Sequence, residues 1–213
     1  MTDTFSIISI IYAAFTTIRQ IDMKRIVAYS SISHMNLVVL GIFSGSLQGV
    51  LGSIFLMVAH GVVSSALFFL IGVLYDKYGT RIIYYYGGLS QTLPLFSSFL
   101  MIFIFANIGF PGTCNFIGEI TIFVGLVDRN TLVLIVAITG VILSVLYSIF
   151  FLNRVIFGNI NVSYITHFKD INFREIAVVI PLFLLTILLG IFPDLIFDTI
   201  LSSVSVSIEK FRF

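Results

Sequence analysis

Long apolar stretches separated by short polar breaks run the length of the chain, in the pattern of membrane helices rather than of short alternating barrel strands. Six segments stand out, A (residues 4–18), B (26–43), C (47–74), D (93–127), E (131–157) and F (176–197). About 20 apolar residues cross a bilayer core, so A is slightly short and C is long enough to cross with tilt. D is too long for one straight span, and Pro111 and Gly112 interrupt it. Proline removes a helical hydrogen bond and glycine accepts almost any backbone angle, which predicts a broken helix. F is expected to be kinked or shifted by Pro181, and a tail, 198–213, follows it. In that tail Ile200, Leu201, Val204, Ile208 and Phe211 fall roughly on one helical face. This amphipathic pattern fits a helix along the membrane surface or against a neighbouring subunit.

Composition narrows the class. Of the 213 residues, 59% are hydrophobic and 10% charged, with a mean hydropathy of +1.14. That predicts a single all-α integral membrane domain over residues 1–213 with six transmembrane helices, one of them broken. A net charge of +1 gives no basic surface for nucleic acid. Cys114 is the single cysteine, which excludes an internal disulfide and a thiolate-rich metal site. Residues 1–20 show no basic leader followed by a small-residue cleavage site, so no cleaved targeting peptide is expected.

Charge sets the orientation. Arg19, Lys24 and Arg25 lie between A and B, Lys77 and Arg81 between C and D, and Arg154, Lys169 and Arg174 between E and F. These loops share one side if all six segments cross, and they hold eight of the eleven Lys and Arg residues. The positive-inside rule puts that side in the cytoplasm or matrix. Arg129, Lys210 and Arg212 fall on the other side.

Few polar groups remain inside the membrane. Nine of the ten acids, including Asp22, Asp128, Asp194 and Asp198, map to loops or segment ends, and Glu119 is the exception. His167 is in a loop, whereas His34 and His60 are in B and C. At ~1.5 Å per residue, His34 lies about 12–15 Å in from the start of B, His60 about 18–20 Å in from the start of C, and Glu119 about 12 Å in from the end of D. All three reach the middle of a core ~30 Å thick. Ser30, Ser53, Ser64 and Asn115 share helix faces with them, enough to line a hydrated path. A charge at bilayer depth costs at least ~2.5–3.5 kcal/mol, which argues for use rather than accident. Apolar surroundings favour the neutral form of Glu119, and the N-terminus of a half-helix starting near Gly112 favours the anion. A group held between those influences can exchange protons. Thr139, Ser144 and Ser148 are expected to bond back to their own helix, and Gly49, Gly52 and Gly61 to permit close helix packing.

Several runs also match a known family. Residues 20–36 (QIDMKRIVAYSSISHMN), 60–76 (HGVVSSALFFLIGVLYD), 86–89 (YGGL), 111–119 (PGTCNFIGE) and 188–194 (LLGIFPD) closely resemble the antiporter-like membrane subunits of respiratory complex I (NADH:ubiquinone oxidoreductase), of the subunit 4 type. Related subunit 5 and antiporter sequences usually carry a lysine four residues after the histidine of C, where this chain has Ser64. The resemblance implies the second inverted repeat of an antiporter-like unit plus a final helix. It implies that His34 and His60 belong to a central hydrophilic axis and that Glu119, on the broken helix, is the terminal proton-channel carboxylate. It further implies no cofactor in this chain, with NADH, FMN, iron–sulfur clusters and ubiquinone used elsewhere in the complex. Other complex I membrane subunits, including subunits 2 and 5, and lipids are the implied partners.

Members of that family are about twice as long, and their first half supplies further membrane-embedded glutamate and lysine residues. Every lysine here, Lys24, Lys77, Lys169 and Lys210, is in a loop or the tail. A separate chain carrying the N-terminal half is therefore expected to pack against segments A–D. The resulting expectation is half of a proton channel in the mitochondrial inner membrane, or alternatively the bacterial plasma membrane. A cation/proton antiporter component and a purely structural membrane module are the competing functions.

Overall fold

The computed structural model describes residues 1–127, 129–159 and 169–211, without the side chains of 210 and 211. Asp128, His167, Arg212 and the side chain of Lys210, all assigned positions from sequence, lie outside the described residues. The described residues are helical, with no strand beyond one isolated bridge. The helices are α1 (Thr2–Ile18), α2 (Met23–Ile42), α3 (Leu47–Tyr78), the one-turn α4 (Leu89–Thr92), α5 (Pro94–Ile108), α6 (Cys114–Val127), α7 (Thr131–Val155), α8 (Phe173–Ile191) and α9 (Asp194–Phe211). By length and composition α2, α3, α7 and α8 are each able to cross a membrane alone, while α1, α5 and α6 are shorter.

Local chemistry sets the helix starts. Asp22 caps α2 by accepting from the Lys24 N–H at 2.9 Å. Ser46 accepts from the Gly49 N–H at 3.1 Å and Asn130 from the Leu132 N–H at 3.0 Å, capping α3 and α7. Asp170 caps α5 from a distant part of the chain, its two oxygens accepting from the Leu95 and Phe96 N–H groups at 3.1 Å each. Lys77 donates to Glu175 Oε2 at 2.6 Å, and the same oxygen accepts from the Asn172 N–H at 2.8 Å. These bonds gather the ends of α3, α5 and α8. Residues 21–23 pair with 81–83 through Met23 N–H to Arg81 O and Ile83 N–H to Ile21 O, both 3.0 Å. The loops rich in Lys and Arg thus meet at one end, and Asp3 pairs with Arg129 at 3.7 Å at the other. The shared side expected from charge is where the fold puts these loops.

α3 is the central element, touching α2, α5, α6, α8 and α9. Phe55, Leu56, Ala59, Val63, Ala66 and Leu70 of α3 are fully buried. Small residues bring its neighbours close. A Cβ on Gly41 of α2 would stand 2.8 Å from the Gly49 carbonyl oxygen, and one on Gly125 of α6 would overlap the Gly49 backbone. Gly52 likewise faces Thr121 and Ile122 of α6. Gly49 and Gly52 thus pack as expected, whereas a Cβ on Gly61 meets nothing within 4 Å, so Gly61 makes no close approach within the chain.

The end of the chain differs from the sequence reading. Segment F was expected to run to residue 197, but α8 passes through Pro181 and stops at Ile191. Pro193 disfavours the helical conformation at the residue before it, and Phe192 leaves the helix at φ −119°, ψ 68°. α9 then starts at Asp194, so Asp194 opens a new helix and Asp198 lies one turn in, both exposed on the chain's surface. It packs on this chain's own α3. The Phe197 ring sits 5.0 Å from Phe55, Val204 is buried, and Ile208 lines a pocket with Ser44, Ser46 and Arg129. Leu201, assigned to the same apolar face, is exposed.

Substituting Gly125 by Ala places a Cβ into the Gly49 backbone, a rigid obstacle. The expected cost is about 1–3 kcal/mol, read as a lower melting temperature of the detergent-extracted protein. Gly61→Ala should leave that temperature unchanged.

Candidate functional site

The break in segment D forms as its residues dictate. Gly109 takes the left-handed conformation, φ +80°, at the end of α5. The Phe110 N–H then donates to the Phe105 carbonyl at 3.1 Å and the Gly109 N–H to Ala106 at 3.2 Å, a Schellman ending. Residues 110–113 make a type II turn: Pro111 supplies its fixed φ, Gly112 its φ of +92°, and the Thr113 N–H donates to the Phe110 carbonyl at 3.1 Å. The Thr113 hydroxyl donates to the same carbonyl at 2.7 Å. Backbone groups freed by the break thus find partners in the turn itself. Gly190 near the end of α8 packs directly on the Gly112 carbonyl and Thr113, so the break at 109–113 and the end of α8 lie against each other.

Glu119 lies on the second turn of α6, and its side chain reaches back toward the break. A Cβ on Gly109 would come within 2.8 Å of Glu119 Oε2, so Gly109 gives the carboxylate its room as well as ending α5. His34 of α2 meets the other oxygen, with Nδ1 3.2 Å from Glu119 Oε1. The distance suits a hydrogen bond but the angles do not, and Oε1 has no formed partner among the described residues. The two groups stand in contact, and a proton on either atom needs only a small rotation to bridge them. The rings of His34 and His60 lie 5.1 Å apart, tilted by 32°. His34 and His60 are each 4% exposed and Glu119 5%.

The three residues placed at one depth from sequence therefore converge on one buried cluster from three helices. Asn115, one turn before Glu119, is fully buried, and neither amide atom has a partner among the described residues. His34 Nε2, both nitrogens of His60 and Asn107 Oδ1 on α5 share that condition. A buried polar group left unpaired costs about 1–3 kcal/mol. So many around one break describe a site suited to water. A cavity of about 10 Å³ beside His34, bounded by Ser33 and Ser144, is roughly what one water needs. Among the described residues no three His, Cys, Asp or Glu side chains gather as metal ligands.

Several candidates also bond to their own helices. Ser30 is buried but donates to the Val27 carbonyl of its own helix at 2.8 Å. Ser53 donates to Val50 at 2.7 Å. Ser64 is half-buried, with its hydroxyl 3.5 Å from the Gly61 carbonyl. Thr139 and Ser144 bond back to Val136 and Val141 at 2.7 Å each, as expected. Sequence reasoning passed over Tyr147 of α7, 3% exposed, whose hydroxyl lies 3.4 Å from Ser33 Oγ. It also passed over Asn107 and Gly109. Tyr147 lies seven residues before Arg154 on a long apolar helix and looks like one more core aromatic; only its neighbours distinguish it.

Comparison with known proteins follows the same lines. A family model described as "NADH:quinone oxidoreductase/Mrp antiporter, TM" matches residues 2–147. The chain is 48% identical over 210 residues to NADH-ubiquinone oxidoreductase chain 4 of Marchantia polymorpha, covering 99% of this chain and 42% of the relative. It is 51% identical over 191 residues to the Chondrus crispus protein of that name, covering 90% and 39%. The chain thus spans about two fifths of the length of the curated relatives it matches. A chain of respiratory complex I from Thermus thermophilus with bound NADH superposes with a TM-score of 0.87 at 29% identity, over 96% of this chain and 43% of that one. A chain of the Mrp complex from Dietzia sp. DQ12-45-1b gives 0.83 at 18% identity, over 95% and 46%, a likeness of fold.

Gly109→Ala adds a strained left-handed alanine, about 1–2 kcal/mol, and pushes the flexible carboxylate away. The protein should still fold, and a structure of the variant should show Glu119 Oε1 moved out of contact with His34 Nδ1.

Proposed function

The chain belongs to the NADH:quinone oxidoreductase/Mrp antiporter membrane family, and from that premise we propose that it forms the C-terminal part of a proton-translocating subunit 4 of respiratory complex I. Proton transfer runs through His34, His60, Glu119 and intervening water, coupled to NADH oxidation and quinone reduction elsewhere. The observation that carries this reading is the buried contact of His34 Nδ1 with Glu119 Oε1 at 3.2 Å, with the His60 ring 5.1 Å from that of His34. An acid and two imidazoles in contact pass a proton by alternately giving and accepting it. NADH, FMN, the iron–sulfur clusters and ubiquinone are proposed to be used by other chains of the complex.

Six crossings are proposed, α5 and α6 sharing one, as the second inverted repeat of an antiporter-like unit plus a final helix. The remaining part of the relatives' length supplies the missing membrane lysine and glutamate. We propose that it lies on a separate chain packed against segments A–D, now α1 to α6, where Phe5, Ile8, Tyr12 and Phe15 of α1 are exposed. Other complex I membrane subunits, including subunits 2 and 5, complete the surroundings. The mitochondrial inner membrane is the proposed location, supported by relatives from a liverwort and a red alga.

Glu119→Gln keeps the shape and removes the exchangeable acid. It should slow the proton-transfer step on the order of a hundredfold, seen as a sharp loss of NADH-driven pumping in membranes with assembly intact on native gels. Near-normal pumping would sink the assignment. Sodium- or potassium-dependent proton flux without associated quinone reduction would instead identify an antiporter component.

A further inference from the structure

The outer faces of the bundle are not alike. On α7 the exposed side chains include Ile135, Ile138, Ile142, Leu146 and Ile149, which suit contact with acyl chains. One side of α3 differs. Met57, Gly61, Ser64, Ser65, Phe68 and Gly72 follow each other three or four residues apart, so they share a helix face, and none of them is buried. Four of the six are glycine or serine. A Cβ on Gly61 or on Gly72 would meet nothing within 4 Å, and neither glycine has a positive φ. Glycine weakens a helix relative to alanine, and nothing inside this chain needs it at either position. Small residues at bilayer depth let a second helix approach closely, whereas lipid gains nothing from them.

α2 forms the other wall of a groove along this face. At the basic end Lys24 joins Phe68, Ile71, Gly72, Tyr75 and Arg81 around an open cavity of about 500 Å³. Ala28 and Ser31 continue the side of Lys24 along α2, exposed and half-buried. His60 adjoins the small residues, one turn from both Met57 and Ser64. It is 4% exposed, and neither of its ring nitrogens has a partner among the described residues. An imidazole can both donate and accept, and a serine hydroxyl that donates to its own helix can still accept. Ser64 and Ser65 are in that state, donating to the Gly61 and Val62 carbonyls at 3.5 and 2.9 Å.

We infer that the groove between α2 and α3 is the docking face for a membrane helix of the partner chain, which packs close on Gly61 and Gly72 and brings a polar side chain to the level of His60, Ser64 and Ser65. The inference rests on the reading above that another chain supplies the rest of the relatives' length, and it narrows the contact from α1 to α6 down to this face. That remaining length is ample, since the curated relatives extend well beyond the two fifths matched here. Acyl chains are the poorer occupant, because they offer His60 neither donor nor acceptor.

The test uses the assembled complex in native membranes. Photo-leucine, which carries a diazirine, replaces Ser65 and, for comparison, Ile142 of α7, and the adducts formed on irradiation are identified by mass spectrometry. Position 65 should capture a membrane segment of the chain that aligns with the part of the relatives this one lacks, and position 142 should not capture that segment. Adducts at 65 with lipid, another subunit or this chain alone overturn the docking face. Gly61→Leu is the second measure. It fills the groove without entering this chain's core, and should lower the partner chain retained on native gels several-fold, while Ile142→Phe leaves retention unchanged. Full retention in Gly61→Leu overturns the inference as well. If Gly61→Leu does not accumulate, the adduct at 65 decides. A complex with no chain matching the missing part removes the reading beneath, whereas that chain present but never captured from 65 removes only this face.

Discussion

A carboxyl group in the middle of an apolar bundle has to meet a proton-bearing partner or water, and much of this structure is arranged around how Glu119 does so. Burying the acid alone would cost more than a small domain can spare. α6 delivers it beside His34, Gly109 leaves it room, and His60 extends the polar cluster by one ring. The unpaired atoms of Asn107, Asn115 and His60 complete a polar interior around the same break. Such an interior is expensive as structure and serviceable as a path.

The break that makes this possible is closed chemically. In a membrane, backbone freed from a helix needs partners at once, and the Schellman ending at Gly109 followed by the Pro111–Gly112 turn supplies them locally. Consequently the freed backbone does not compete with Glu119 for His34 or water. The end of α8 seals the turn from outside through Gly190, and the glycine seam of Gly41, Gly49, Gly52 and Gly125 holds α2, α3 and α6 at the separation the cluster needs. Van der Waals packing of small residues holds such helices together where no hydrophobic difference separates protein from lipid.

Much of this was legible in sequence because the constraints are local or periodic. Apolar runs give α1, α2, α3 and α7 within a few residues at most ends, and the structure adds the caps Asp22, Ser46 and Asn130 that fix where α2, α3 and α7 begin. Pro111 and Gly112 mark the broken helix. The depth of His34, His60 and Glu119 follows from counting residues along helices of fixed rise. Other features left weaker marks. Pro193 was a readable stop, yet the apolar run continues to Phe197 and hides it. Gly109 differs from the neighbouring Gly112 only in what its missing side chain makes room for. Ser64 shares a helix face with His60, but spacing does not tell whether a hydroxyl turns inward or back to its own carbonyl.

Sequence by itself determined a helical membrane-type chain, the gathering of its basic loops at one end, the broken helix and the level at which three titratable groups sit. Each follows from a property summed along one stretch of chain: hydropathy, rise per residue, backbone freedom. Tertiary structure alone decided that His34 touches Glu119, that Tyr147 points at Ser33, and that α9 folds onto α3 through Phe197 and Phe55. Those depend on the rotation of each helix about its axis and on how closely two backbones approach. Rotation and approach are set by packing between helices far apart in sequence, where a single missing Cβ shifts contacts by more than the length of a hydrogen bond's tolerance.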